Sequence, residues 1–299
     1  MPSDSLRFVN ALVGFCTMSA SWPHPLADLG YAACGVEREI TVDLGGQNRK
    51  VVVDLICTSA ALNHSLCSET KSLLIKPDQA RRYRAMKSSD LVNMANLPPG
   101  IEFALLTHDI LYVCPAAHAM EVAAKLGESS NPFPVLGGDE SEFRLASGKV
   151  SQEELHHVLA TGIVIGALDE WPLTYVPFTR LSTDSEIVRY IARAMSMFII
   201  AGTEFTSESV ANRAISTWSW FGAEEKRGLQ KRFSKLIDNA RQHELSEYLE
   251  RPESDQRWIP KRGQLSAASQ IQRYNEQVND FVERIRDDIE YQAPLFEFE

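Results

Sequence analysis

Hydrophobic and polar positions alternate unevenly along the chain, and the change in their period divides it into two halves. Apolar residues between Asp4 and Ala20 predict a helix, closed by Pro23 and Pro25, and Ala27–Ala33 predicts a second, short helix ending at Gly35. Glu39–Leu44 alternates with the period of a strand. Gly45-Gly46-Gln47-Asn48 supplies a turn, and Val51, Val52, Val53, Leu55 and Ile56 form a β-branched run suited to a buried strand. A further strand is expected over Leu66–Ser72, then a helix carrying Gln79 and Tyr83, ended by Pro98-Pro99-Gly100. Strands follow at Phe103–Leu106, Ile110–Cys114 and Phe133–Leu136, with a helix over Ala116–Leu126 and a turn at Gly137-Gly138. Ser151 and Glu154 have the spacing of a capping box, which predicts a helix over Ser151–Leu159.

Beyond a linker at Leu168–Thr183, broken by Pro172 and Pro177, the period becomes helical. Ile187, Ile191, Ala194, Met195 and Phe198 mark one face of a helix over Asp184–Ala201, stopped by Gly202. Thr206 is placed to cap a helix reaching Trp218, Ala223–Arg241 forms a third, and Gln264–Gln292 reads as a long amphipathic helix. That last helix either packs on its own domain or forms a seam for a homodimer or partner subunit. The divisions expected are residues 1–167, a linker at 168–183, a helical domain at 184–262, and the long helix with its tail at 263–299.

Chemistry concentrates in the first half. Asp54 interrupts a buried strand, where an unpartnered carboxylate is costly, so it needs a cation or a hydrogen-bond network. Glu69 and Lys71 are two apart on the next strand and would project together. If the strands are neighbours, two acids and one ammonium converge. Asp54 and Glu69 are hard oxygen ligands suited to Mg²⁺, with Mn²⁺ able to substitute, and Lys71 can orient a water or neutralise a phosphate oxygen. An isolated Glu-x-Lys is common on surface helices, and Glu69 and Lys71 alone could be a solvated ion pair on an edge strand, so the order and spacing of the three elements carry the argument.

Asp54 followed by Glu69-Thr70-Lys71 resembles the D…ExK signature of the PD-(D/E)XK nuclease superfamily. Gln79-Ala80-Arg81-Arg82-Tyr83 resembles the Q-x-x-x-Y element of its RecB-type branch. Val53 stands where many members have proline, and Glu37, then Glu39, are candidates for the extra upstream acid. The resemblance implies a restriction-endonuclease-like α/β core, a mixed sheet flanked by helices. It also implies metal-dependent hydrolysis of DNA phosphodiesters, with Gln79 assisting the site and Tyr83 supporting its helix. DNA processing, mobile elements and phage defence are contexts in which such nucleases act. A catalytically silent DNA-binding scaffold keeping the fold, and an RNA-directed nuclease, are the rival functions.

A net charge of −10 argues against an overall basic coat, but local patches decide nucleic-acid binding. Lys71, Lys76, Arg81, Arg82, Arg84 and Lys87 stand against the single acid Asp78 over that stretch, as a phosphate-tracking surface requires. The third C-terminal helix holds Lys226, Arg227, Lys231, Arg232, Lys235 and Arg241. Three helices with the third one basic resemble a winged-helix module, Arg257–Arg262 would be its wing, and Lys231 and Lys235 would contact DNA. The five cysteines are scattered in apolar contexts and read as reduced, buried thiols of a cytoplasmic protein. None lies after Cys114 to build the C-terminal Fe–S cluster of some superfamily members. His64, His108, His118, His156 and His157 share no ligand spacing. No run has the length of a membrane span, and Asp4 and Asn10 break the pattern of a signal peptide. At the end of the chain, Gln292-Ala-Pro-Leu295-Phe296 resembles the Q-x-x-L-F peptide that docks bacterial proteins onto the polymerase sliding clamp, although a five-residue pattern arises easily by chance and tail packing is the favoured reading.

Overall fold

A computed structural model describes residues 4–71, 75, 77–92, 96–127, 132–166, 171–172, 175–252 and 256–288. The chain divides into two compact units, one made of Ser3–Val176 with Ser219–Ala223, the other of Pro177–Trp218 with Glu224–Glu299.

The first unit begins with helix α1 (Asp4–Phe15) and the single turn α2 (Pro25–Asp28), followed by strands β1 (Tyr31–Asp43), β2 (Asn48–Ser59) and β3 (His64–Thr70). Helices α3 (Pro77–Ala85) and α4 (Ser88–Val92) lead to β4 (Thr107–Pro115), and α5 (Ala119–Leu126) leads to β5 (Val135–Gly138). Then come β6 (Glu142–Ser147), α6 (Glu153–Thr161) and the short β7 (Ile163–Val164). The strands form one mixed seven-stranded sheet in chain order. β3, β4 and β5 are parallel neighbours and the flanking pairs are antiparallel. Parallel neighbours need a crossover connection, which α3–α4 and α5 provide.

β3 is buried along its whole length, and Tyr83 of α3, Tyr112 of β4 and Phe133 pack with β2 and β3 in one apolar cluster. The aromatic rings of Phe8, Phe15, Trp22, Phe143 and Trp171 form another cluster around α1. All five cysteines are buried and unbridged, as their apolar contexts predicted.

Several boundaries differ from the sequence reading for physical reasons. Tyr31–Gly35 is strand, not the end of an alanine helix, because β2 is long enough to pair with it from Tyr31 opposite Ser59. Phe103–Leu106 is a turn, and the strand begins instead at Thr107, taking His108 and Asp109 into β4. Gly137-Gly138 is strand, not turn. A Cβ on Gly138 would meet the Phe143 ring at 2.4 Å, so glycine lets β6's aromatic side chain lie against β5. Ser151 does not cap α6, because its hydroxyl donates to Asp109 Oδ2 at 2.9 Å.

The second unit contains α7 (Asp184–Ala201), α8 (Ser207–Ala214), α9 (Ala223–Gln242, of which the first residue belongs to the other unit), β8 (Leu249–Glu250), β9 (Ile259–Pro260) and α10 (Ala268–Asp287). Thr183 and Glu186 form a full capping box at the start of α7. Gly202, at φ 68°, ends it in the left-handed conformation that glycine adopts without penalty. Thr206 caps α8, which stops at Ala214 rather than at Trp218. The backbones of Phe205 and Trp258 pair through hydrogen bonds of 3.1 and 2.9 Å, and β8 pairs antiparallel with β9. α10 packs on its own unit: the Tyr274 hydroxyl meets Ser196 Oγ at 2.9 Å, and Arg284 donates to Glu244 and Asn239. Among the described residues no helix is long and apolar enough to cross a membrane.

Candidate active site

The sheet forks at the proposed site. β2 and β3 pair from Ser59 opposite His64 as far as Leu55 opposite Ser68; beyond that, β2 continues with β1 and β3 with β4. Asp54 and Glu69 are the next residue on each strand. Where the backbone ladder stops, Asp54 takes its place: Oδ2 accepts the Thr70 N–H at 2.7 Å and the Thr70 hydroxyl at 2.7 Å. Thr70 Oγ1 is in turn bonded to Ser5 Oγ of α1. Among the described residues, Oδ1 of Asp54 accepts no hydrogen bond.

Glu69 is almost fully buried, and three side chains hold it. Gln79 Nε2 donates to Oε1 at 2.8 Å, the Lys71 ammonium forms an ion pair with the same oxygen, and the Tyr83 hydroxyl contacts Oε2. Gln79 and Tyr83 are four apart on α3 and share its inward face, which explains the spacing between them. Asp54, Glu69, Lys71 and Gln79 are thus one electrostatic cluster. Burial and the neighbouring charge of Asp54 push the Glu69 carboxyl up to about 7. Burial also raises Asp54, against the pull of Lys71 and the Thr70 hydrogen bonds. Burial would lower Lys71, but the carboxylates of Glu69 and Asp54 outweigh it and hold the ammonium above its ordinary value.

Glu37 also belongs here. It is the residue skipped between the register pairs Val36–Leu55 and Arg38–Val53, hence opposite Asp54, and its charge reaches Lys71. Its φ of 48° lies in the left-handed region, which a glutamate adopts only at a cost. The chain at Phe221–Gly222 secures it: Gly222 N–H donates to Val36 O at 3.0 Å and Arg38 Nη1 to Phe221 O at 3.0 Å. Glu39, the other acidic candidate, forms an ion pair with Lys50 at 3.2 Å instead. Sequence reasoning missed Thr70 and Ser5 because hydroxyl residues next to a motif carry no spacing signal.

The basic residues fare differently from one another. Arg81 is exposed, whereas Arg82 is paired with Asp78 and donates to Lys50 O at 3.1 Å. Arg84 stacks over Phe133 at 4.7 Å and donates to Leu126 O. Lys231 and Lys235 are exposed one turn apart on α9, but Arg232 between them is buried against Asp184. Lys76 and the tail residues Gln292, Leu295 and Phe296 lie outside the described residues.

At the other end of β3, His64 is fully buried in a second polar network. The Tyr31 hydroxyl donates to Nδ1 at 2.7 Å, and Nε2 meets Asp109 Oδ2 at 3.2 Å, which Ser151 N–H also reaches at 2.6 Å. Both Ser151 Oγ and Asp109 sit at the same imidazole nitrogen, so this is a satisfied core histidine and not a nucleophile–base–acid relay.

Residues 4–116, from α1 through β4, match the family model described as the MJECL32 domain, and residues 183–297 match a domain of unknown function (DUF8601). No curated protein and no solved structure matches the chain. The first match ends one residue past β4, so it spans the fork and every catalytic candidate; the second spans α7 to α10.

Proposed function

We propose that the protein is a metal-dependent nuclease that hydrolyses DNA phosphodiesters, with a restriction-endonuclease-like first unit and a winged-helix-like second unit. The observation that carries this reading is the fork itself: Asp54 and Glu69 end their shared ladder side by side, with Lys71 paired to Glu69 and Gln79 brought in from the following helix.

The residues fit a hard divalent cation on charge grounds. Two acids face one ammonium in a largely water-free setting; burial, and after it the Asp54 charge, raises the Glu69 carboxyl, and a cation held there would favour its ionised form. Asp54, through Oδ1, and Glu69 would hold Mg²⁺ or Mn²⁺. When bound, the ion would supply Lewis-acid stabilisation of the phosphate and make water easier to deprotonate. Lys71 offers donors for an attacking water or a non-bridging phosphate oxygen. Gln79 keeps Glu69 Oε1 turned toward Lys71, and Tyr83 fixes Oε2.

In the second unit the order helix, Phe205 bridge, helix, helix, β8, β9, with Phe205 pairing to Trp258 just before β9, suits a three-helix module with a small wing. Exposed Lys231 and Lys235 on its third helix support DNA as the partner.

A second reading, the silent scaffold, is favoured by one observation. Glu69 is closed off by Lys71, Gln79 and Tyr83, and among the described residues no group of three or more His, Cys, Asp or Glu side chains is arranged to hold a metal. Incubating supercoiled plasmid, single-stranded DNA and RNA with Mg²⁺ or Mn²⁺ separates the readings. Cleavage by wild type that is lost in Asp54→Ala, Glu69→Ala and Lys71→Ala supports the nuclease. Binding without cleavage supports the scaffold, and cleavage of RNA alone moves the substrate class.

A further inference from the structure

A cavity of about 540 Å³ opens where the parallel strands β4 and β5 end, lined by Arg7 and Phe8 of α1, Pro115, Asp139, Glu140 and Trp171. Ligands of open α/β sheets bind outside the carboxyl ends of parallel strands, and this size suits a small ring system. The cavity adjoins the fork along two routes. Lys71 N–H donates to Val113 O at 2.8 Å, two residues before Pro115. Ser5 touches Thr70, the residue that holds Asp54, and Arg7 and Phe8 follow two and three positions later on the same helix.

The chemistry of the lining selects a ligand. The Arg7 guanidinium carbon lies over the Trp171 ring, 4.6 Å from its centroid, with Phe8 6.3 Å from Trp171 on the aromatic side. Arg7 is paired with Glu140 at 3.8 Å, and Asp139 stands beside it with Oδ1 accepting from Ser141 and Glu142. One guanidinium and two carboxylates give the rim no surplus of positive charge, which argues against a phosphate as occupant. A flat group that stacks on guanidinium or indole and donates amino hydrogens to carboxylates fits every wall, and unpaired nucleobases are such groups.

We infer that this cavity is a base-stacking subsite for an unpaired nucleobase of the strand that lies across the fork, so the substrate is single-stranded or has a base turned out of its duplex. This rests on the nuclease reading for its location but not for its test. Binding is measured by fluorescence anisotropy in EDTA, where no hydrolysis occurs. The probes are a short fluorescein-labelled single strand, the same strand as a blunt duplex, and the same strand carrying abasic sites.

Wild type is expected to bind the intact strand more tightly than the duplex or the abasic strand. Arg7→Ala and Trp171→Leu are expected to weaken the intact strand by about fivefold or more, the scale of losing one stacked base, and to leave the abasic strand unchanged. Equal weakening of intact and abasic strands, unaltered binding of the intact strand, or no binding of any strand by wild type overturns the inference. Should Trp171→Leu fail to fold by thermal melting, Arg7→Ala, on the helix surface, decides alone. Base-dependent binding without cleavage in Mg²⁺ or Mn²⁺ would defeat the nuclease reading while the subsite stands.

Discussion

Asp54 Oδ2 accepts both the backbone N–H and the hydroxyl of Thr70, each at 2.7 Å, so one carboxylate both terminates a strand ladder and belongs to the candidate site. The two roles separate by chemistry. An amide oxygen still accepts the Thr70 N–H but carries no charge for a cation. Asp54→Asn is expected to melt within a few degrees of wild type while cleavage falls by about a hundredfold or more, the scale of losing a group that stabilises transition-state charge. Asp54→Ala removes the acceptor too, and strands a backbone donor at a cost of about 1–3 kcal/mol. Thermal melts beside cleavage rates check both, and an Asp54→Asn variant that cuts like wild type removes Asp54 from the chemistry.

Glu69 makes stability depend on pH. The Tyr83 hydroxyl has one hydrogen but meets two acceptors, Glu69 Oε2 and, at 2.5 Å, the Val52 carbonyl. Shared between the two, the hydroxyl only partly offsets the burial and the Asp54 charge, which push the Glu69 carboxyl up to about 7. The folded state then binds a proton that the unfolded state releases near its ordinary carboxylate value. Stability from this group is therefore full at pH below about 4.5 and falls as pH rises to about 7, by on the order of 3 kcal/mol. Glu225 in the second unit, raised by burial to about 7, has the same sign. Urea denaturation between pH 5 and pH 8 is expected to show a decline that Glu69→Gln and Glu225→Gln each reduce. A flat profile in wild type contradicts the raised Glu69 carboxyl.

Neighbours on α9 are expected to respond in opposite ways. Lys231 and Lys235 face solvent, while Arg232 is buried against Asp184 and donates to Arg180 O at 3.2 Å. Removing Arg232 leaves Asp184 a buried charge without its cation, so Arg232→Ala is expected to cost about 3–5 kcal/mol. Lys231→Ala and Lys235→Ala are expected to leave stability within about 0.5 kcal/mol and each to lower the salt slope of DNA binding by about 1. Denaturation curves and affinities measured over a range of salt concentrations test the contrast.

This helix also marks how far sequence alone reaches. Its existence and ends were legible, as were α7 between Thr183 and Gly202 and the motif order Asp54, Glu69, Lys71, Gln79, Tyr83, because capping chemistry, helical period and a family-like spacing are local signals. Which arginine faces inward was not, because the partners that hold Arg232 inside, Asp184 and the Arg180 carbonyl, are 48 and 52 residues away. The same limit explains Tyr31–Gly35, an alanine-rich stretch drawn into β1 by its pairing with β2, and Ser151, diverted from capping α6 by Asp109 of β4. The fork itself, and Thr70 and Ser5 within it, depend on where two ladders part company, which no local pattern encodes.

Glu37 combines a strained backbone with a place opposite Asp54, and strain at such a position is expected to be retained for function. Glycine adopts a φ of 48° without the clash of a Cβ, so Glu37→Gly is expected to stabilise the protein by about 1 kcal/mol. The same change removes a charge that Lys71 feels, so cleavage is expected to fall. Gly222 provides the converse. A Cβ there would lie 2.3 Å from the Glu37 carbonyl oxygen, a backbone atom that cannot swing aside, so Gly222→Ala is expected to destabilise by about 1–3 kcal/mol and to disturb the fork at the same time. Urea denaturation with cleavage assays on both variants separates the cases. A Glu37→Gly variant that is more stable and equally active would make the strain incidental, whereas a stable, slow variant assigns Glu37 to the site.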